Sequence, residues 1–169
     1  MLTPSQTLVA LRPVQPQDEA FLYKVYASTR ADEMAQVPWS AEQKRAFLDM
    51  QYNAQRQHYL AHYPTAAWLV IQQGDAPIGR MIVERSAGEI LLMDIALLPE
   101  QRNAGIGSGL VQDLMAEAGQ AGKTVRLHVE FFNPALRLYE RLGFVKIGEA
   151  GIYFEMEWRP TPGKGNQAA

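Results

Sequence analysis

The chain has 169 residues, 47% of them apolar, which is enough for one sizeable core and short of two comfortable domains. Its 16 Lys and Arg against 18 Asp and Glu leave a net charge of -2, which gives no electrostatic footprint for nucleic acid or an anionic membrane. Cysteine is absent, so disulfides, thiolate zinc sites and a cysteine nucleophile are excluded. No window approaches the roughly 18 uninterrupted apolar residues of a membrane span, and Met1 to Ala10 lacks the pattern of a secretory signal. The expectation is a cytoplasmic protein with one domain over residues 1–159 and a loose Pro/Gly-rich tail over 160–169.

In chain order, Thr7 to Val14 reads as a short strand closed by Pro13 and Pro16. Asp18 then caps a helix that turns Ala20, Phe21, Val25 and Tyr26 toward a core and fades near Thr29. Asp32 to Trp39 ends in Val37-Pro38-Trp39. Ser40 with Gln43 three residues later forms a capping box for a long polar helix from Ala41 to about His62, stopped by Pro64. The period then becomes that of strands at Ala66–Gln72, Pro77–Arg85 and Glu89–Leu98, and the short turns between them favour an antiparallel meander. A helix follows with Ile106, Leu110, Val111, Leu114, Met115 and Ala118 on one stripe, ending at Gly119–Gly122. Val125 to Phe131 is a strand. Asn133-Pro134 opens a short helix bearing Ala135, Leu138, Tyr139 and Leu142 on one face, and Gly143 ends it. Phe144–Gly148 and Ile152–Trp158 pair as a final hairpin.

Between the third strand of the meander and the next helix lies Pro99-Glu-Gln-Arg-Asn-Ala-Gly-Ile-Gly-Ser-Gly-Leu110. A strand, a glycine-bearing turn and a helix start together suit an anion, because unpaired N–H groups and the helix dipole face outward there. Gly105 and Gly107 let a phosphate approach the backbone, Arg102 adds a charge and Ser108 a hydroxyl. Gly109 falls inside the helix, where glycine costs roughly 0.5–1 kcal/mol relative to alanine, and packing against a neighbour is the one reason offered for it. The dinucleotide fingerprint fails, since its third small residue would be Leu110. A Walker loop around Gly122-Lys123-Thr124 fails too, because Glu117 stands where its first glycine belongs.

The spacing Arg102-x-x-Gly105-x-Gly107 resembles the R/Q-x-x-G-x-G/A signature of the GNAT superfamily, the acyl-CoA-dependent N-acyltransferases. Asn133-Pro-Ala-Leu-Arg-Leu-Tyr139-Glu-Arg-Leu-Gly143-Phe144 resembles that family's later N-x-x-A-x-x-x-Y-x-x-x-G-F segment, and the element order agrees over residues 7–158. The resemblance implies an α/β (α+β) fold, with a mixed, mostly antiparallel central sheet flanked by helices and a splayed parallel strand pair that holds the cofactor. It implies acetyl-CoA as cosubstrate. Arg102, Asn103, Ala104, Gly105, Ile106, Gly107 and Ser108 would cradle the pyrophosphate, and the main chain of Ile95, Ala96 and Leu97 would bond the pantetheine arm, with Val125–Phe131 as the parallel neighbour. Asn133 would contact the same arm, besides capping its helix.

Amine attack on a thioester creates an oxyanion, for which the N–H of Ile95 or Leu97 is the candidate donor. Tyr139 matches the family's general acid, although an aromatic on the core face of an amphipathic helix needs no such role. Asp94 is the leading proton acceptor, because a carboxylate inside an apolar run is expensive without a partner. Glu84, Glu89, His128 and Glu130 are alternatives, since the family's usual base positions are the apolar Leu91 and Met93. No metal is expected: His58 and His62 have ligand spacing without the glutamate of H-E-x-x-H. Met34, Trp39, Phe47, Tyr52, Arg56, Tyr59 and Tyr63 either wall an acceptor pocket or pack a helix on the sheet. The expected activity is direct N-acetyl transfer to a primary amine of a small molecule or peptide, with a non-catalytic acyl-CoA-binding domain as the alternative. Nucleic acid and membrane are not expected partners; a homodimer is compatible with the sequence.

Overall fold

The computed structural model describes residues 8–161, so Thr7 and residues 162–169 of the expected tail lie outside the described residues. In chain order the elements are β1 (Val9–Pro13), a 3-10 turn (Pro16–Asp18), α1 (Glu19–Thr29), α2 (Ala31–Gln36), α3 (Ala41–His62), β2 (Ala67–Gln73), β3 (Ala76–Arg85) and β4 (Glu89–Leu97). A second 3-10 turn (Pro99–Gln101) leads to α4 (Ile106–Ala121), β5 (Thr124–Glu130), α5 (Ala135–Leu142), β6 (Val145–Ala150) and β7 (Tyr153–Trp158). The strands form one seven-stranded sheet in the order β1-β2-β3-β4-β5-β7-β6. The pairs β1–β2, β5–β7 and β6–β7 are antiparallel, whereas β4 and β5 run parallel. The mixed α/β class and the meander agree with the expectation; α2 has no counterpart among the expected elements.

Two compact units make up the chain. Among the described residues, 8–82 together with 94–106 form the first, and 83–93 with 107–161 form the second. In the first, Leu22 and Tyr26 of α1, Tyr52 of α3 and Val70 of β2 share a buried cluster. Tyr52 meets Tyr23 edge-on at 5.6 Å between ring centroids and Tyr26 at 5.5 Å, contacts worth roughly 0.5–1.5 kcal/mol each beyond the area they bury. The Ser40 capping box forms as expected: Gln43 N–H donates to Ser40 Oγ at 3.1 Å, and Ser40 N–H to Gln43 Oε1 at 2.9 Å.

Asp18 corrects the expectation that its side chain caps α1. Its carboxylate turns back instead, accepting Gln15 N–H at 2.8 Å and gripping Arg12 through both oxygens at 2.8 Å each. A 3-10 turn over Pro16–Asp18 precedes the helix, so the nearest orphan amide belongs to Gln15. In the second unit the expected stripe of α4 buries Leu110, Val111, Leu114 and Ala118, and β5 buries Val125, Leu127 and Val129. Gly143 closes α5 in the left-handed conformation, φ 102°, with Phe144 N–H bonded to the Tyr139 carbonyl at 3.0 Å.

The hydrogen bonds of β4 change parity along its length. Near its start, Glu89 C=O accepts from Ser86 N–H at 3.0 Å, and Gly88 C=O accepts from Thr124 N–H of β5 at 3.2 Å. Odd-numbered residues there face β3. After its end, Leu98 N–H donates to Ile78 C=O at 2.9 Å, so an even-numbered residue faces β3. Eight steps of chain from Ile78 to Ser86 thus oppose nine from Glu89 to Leu98, the signature of a β-bulge in β4. The parallel register with β5 covers Glu89–Leu92 against Thr124–Leu127 and stops there, while both strands continue.

Gly79 is where this distortion presses on β3. A Cβ there would lie 2.3 Å from the Ala96 carbonyl oxygen and 3.2 Å from Leu97 Cα, both backbone atoms. Gly79→Ala is therefore expected to destabilise the protein by about 1–3 kcal/mol, the usual cost of overpacking. Urea unfolding reads this as a lower midpoint at unchanged slope, and a wild-type midpoint would remove the close approach.

A second expectation concerns acid. Arg12, then the Gln15 N–H, hold the Asp18 carboxyl down to about 2 from an ordinary value of 3.8. Because the folded-state value is the lower one, the pair stabilises fully above about 3.8, and that stabilisation disappears as pH falls toward about 2. Arg12→Gln should lower stability near neutrality and flatten the acid limb of a stability-versus-pH curve in that window. Parallel acid limbs for the two proteins would show that Asp18 does not set it.

Candidate functional site

Of the residues nominated from sequence, Asp94, Ile95, Ala96, Leu97 and Arg102 to Ile106 belong to the first unit, and Gly107, Ser108, Asn133 and Tyr139 to the second.

In the first unit the bulge decides what the end of β4 presents. With Leu98 turned to β3 and the Ala96 carbonyl crowding Gly79, the groups of Leu97 point away from β3. Alternation places those of Ile95 on the same side. The Leu97 carbonyl is taken by Arg102, whose Nε donates to it at 3.0 Å, while Arg102 Nη2 donates to Ser28 Oγ at the end of α1 at 3.3 Å. The guanidinium expected beside an anion thus ties its own loop to β4 and α1. Asn103 and Gly105 both adopt left-handed backbone, φ 61° and 83°. Such alternation lines up backbone N–H groups as an anion-binding concavity, and around Gly105 a Cβ would meet nothing within 4 Å.

Asp94 has the partner that its place in an apolar run demands. Arg80 of β3, 3% exposed, donates Nε to Asp94 Oδ2 at 2.8 Å and lies with Nη2 2.7 Å from the same oxygen. Nη2 also donates to Gln55 Oε1 of α3 at 3.1 Å. Sequence reading missed Arg80 and Gln55, although an arginine and an aspartate interrupting two neighbouring apolar runs were a signal that they pair.

In the second unit Asn133 Oδ1 accepts Ala135 N–H, the first amide of α5, at 2.9 Å, while the capping position itself falls on Pro134, one residue later than expected. Tyr139 is buried at 7% exposure and meets Phe144 edge-on at 5.8 Å. On β5, cross-strand pairing puts Arg126, His128 and Glu130 opposite Glu157, Glu155 and Tyr153 of β7. Packing around the His128 ring, then Arg126, lower its pKa below the ordinary imidazole value. Glu89 bonds Arg126 at 3.1 Å. A Cβ at Gly109 would meet nothing within 4 Å, which corrects the expectation of close packing against its neighbours.

The aromatic set does not converge. Met34 and Tyr52 are buried, Trp39 and Phe47 pair at 5.3 Å, Tyr59 lies against Trp68 at 6.1 Å, and Arg56 bonds Glu19 at 3.1 Å. An open cleft of about 610 Å³ between α1 and α3 is lined by Glu19, Tyr23, Arg45, Asp49 and Tyr52. Its charges satisfy one another, for Arg45 bonds Asp49 at 3.1 Å and covers the Tyr23 ring at 4.4 Å. Burial, then a hydrogen bond with Glu19, push Tyr52 up to about 12. His58 and His62 stack at 4.2 Å, and no group of three or more His, Cys, Asp or Glu among the described residues is placed to hold a metal ion. Among those residues no helix is long and apolar enough to cross a membrane.

Residues 64–146 match the model of the acetyltransferase (GNAT) domain. No curated protein sequence matches the chain. Among solved structures, it is similar to the PaiA N-acetyltransferase of Thermoplasma acidophilum in complex with coenzyme A, with a TM-score of 0.68 and 19% identity over 90% of this chain and 99% of that one. An acetyltransferase from Thermus thermophilus superposes with a TM-score of 0.64 at 17% identity, covering 90% and 98%. Arabidopsis thaliana Naa50 in complex with the bisubstrate analogue CoA-Ac-MVNAL gives 0.59 at 17% identity, covering 89% and 97%.

Proposed function

Because this chain carries the acetyltransferase domain of the GNAT superfamily, we propose that it transfers an acetyl group from acetyl-CoA directly to a primary amine of a small molecule or peptide. The observation that carries the reading is the left-handed loop at Asn103 and Gly105, which leads into α4 inside the matched segment. Coenzyme A and a CoA-peptide conjugate occupy two of the structural relatives, which supports the cosubstrate and admits a peptide acceptor.

The residues fit such a ligand. The open space at Gly105 suits a pyrophosphate, and the N–H groups from Asn103 to Ser108, leading into α4, are the donors for it without a carboxylate side chain among them, the Arg102 N–H being taken by the Pro99 carbonyl at 3.2 Å. Acetyl-CoA supplies an activated thioester. In this reading the N–H of Ile95 or Leu97 receives the carbonyl oxygen as it gains negative charge, with Asn133 on the pantetheine arm; Ala96 drops out of the role expected of it, because its carbonyl faces Gly79 of β3. Tyr139 gives a proton to the departing sulfur, and Asp94 takes one from the amine. With no cysteine in the chain, no thiol acyl-enzyme intervenes.

Thiol release from acetyl-CoA over a panel of lysine amide, alanine amide, methionine amide, putrescine and benzylamine tests the activity, and the protein contributes no thiol of its own. Coenzyme A binding without turnover of any amine would favour the non-catalytic alternative. Gly107→Asp should abolish acetyl-CoA binding by calorimetry, since it sets a carboxylate against the pyrophosphate; retained affinity would refute the loop assignment. Tyr139→Phe keeps the packing on Phe144 and should cut kcat roughly 10²-fold at unchanged acetyl-CoA affinity. Unaltered kcat would remove Tyr139 from the chemistry.

A further inference from the structure

Three arginine–carboxylate pairs in this protein invite comparison. Arg12 grips Asp18 fork to fork, Nη1 on Oδ2 and Nη2 on Oδ1, at 2.8 Å each. Arg85 grips Glu117 in the same manner through its Nε and Nη2 edge, at 2.6 Å to Oε2 and 2.9 Å to Oε1. Arg80 offers Asp94 that same edge, yet both nitrogens converge on Oδ2, at 2.8 and 2.7 Å.

Gln55 is the side chain that Arg80 has in addition. Its Oε1 accepts from Arg80 Nη2 at 3.1 Å and so holds the guanidinium from α3, whereas the second acceptor of Arg12 Nη1 is the Pro13 carbonyl of its own strand, at 3.2 Å. Arg80 is sealed at 3% side-chain exposure while Asp94 keeps 23%. With Oδ2 against the buried guanidinium, the accessible part of the carboxylate falls toward Oδ1. In a fork pair both oxygens would be committed.

We infer that Arg80 and Gln55 are positioning residues that hold Asp94 by one oxygen and keep Oδ1 turned out to receive the acceptor amine. The inference rests on the acetyl-transfer reading and on Asp94 as its proton acceptor. As the new N–C bond forms and the C–S bond breaks, one N–H proton passes to Oδ1 and on to solvent, sulfur leaves as the thiol with the Tyr139 proton, and Tyr139 regains a proton from solvent. Gln55 lies on α3, so the orientation of the acceptor carboxylate depends on a helix outside the strands that carry the pair.

Arg80 variants would strand a half-buried carboxylate, so the test uses Gln55, where alanine is a good helix residue. With the full chain, acetyl-CoA and the fastest amine of the panel, Gln55→Ala should lower kcat about tenfold, well short of the roughly 10²-fold that a 1 Å misplacement can bring. The KM for acetyl-CoA should hold, and the loss of one acceptor of the sealed guanidinium should lower the thermal midpoint by about a few degrees, a fall that Gln55→Glu reverses. Gln55→Glu keeps an acceptor oxygen for Nη2 and should recover most of kcat. Wild-type kcat in Gln55→Ala beside an inactive Asp94→Asn overturns the inference and leaves Asp94 in its role. Equal losses in both Gln55 variants, with a matching fall in thermal midpoint, also overturn it. Full activity in Asp94→Asn overturns the proton-acceptor reading and the inference with it.

Discussion

One surplus residue in β4 governs the orientation of everything after it. Were the alternation at Glu89 to continue, the backbone groups of Ile95 and Leu97 would face β3 and be spent on the ladder. The bulge exchanges the two sets, so Leu98 bonds Ile78 and the Leu97 carbonyl turns away to meet Arg102. A bulge disrupts pairing locally and increases twist, in keeping with a parallel register that ends at Leu92 and Leu127. Its requirement on the neighbouring strand is narrow: the Ala96 carbonyl leaves no room for a side chain at Gly79. A strand interior is otherwise a poor place for glycine, so this one is explained by close backbone approach.

The second constraint is electrostatic. A guanidinium as sealed as that of Arg80 is tolerable only with a carboxylate and further acceptors, and Asp94 with Gln55 supplies them. The pair joins β3 to β4 on either side of the distortion, and Gln55 adds α3 to the same network. Arg12 and Asp18 do comparable work at the start of the first unit, where Asp18 also satisfies the Gln15 amide. The difference lies in completeness: Asp18 spends both oxygens on Arg12, and Asp94 spends one on Arg80.

Local signals carried most of the architecture. The Ser40–Gln43 box, the Gly143 stop, the strand periods and the stripe of α4 each depend on residues within a turn or two of one another, and such couplings are visible in a linear reading. The β4 bulge is not, because Ile90 to Leu98 reads as an unbroken apolar run and parity appears only when two strands are aligned. Long-range side-chain pairing was only partly visible: Arg80 and Asp94 each interrupt an apolar run, which marks both as needing a partner, but at 14 positions apart no local spacing joins them. For the aromatic residues of the helical region a pocket wall and packing of a helix on the sheet were both open, because a shared segment does not decide between them. The fold distributes them, sending Tyr52 of α3 into the core and leaving Trp39, in the loop before α3, exposed beside the half-buried Phe47.

Arg102 shows how a motif residue acquires its meaning from its neighbours. An arginine beside a glycine-rich turn suggests a cation for a phosphate, yet its guanidinium donates to the Leu97 carbonyl and the Ser28 hydroxyl. On the proposed reading, an anion would then be met by backbone N–H groups, through the left-handed turns at Asn103 and Gly105. Backbone dipoles are fixed in place and lose no side-chain entropy on binding, whereas a free arginine would have to be ordered. The same guanidinium fixes the last carbonyl of β4, so loop geometry and strand geometry are set by one side chain. On the proposed reading, that shared anchor keeps the pyrophosphate cradle in register with the Ile95 and Leu97 amides, which is what a ligand reaching both would require.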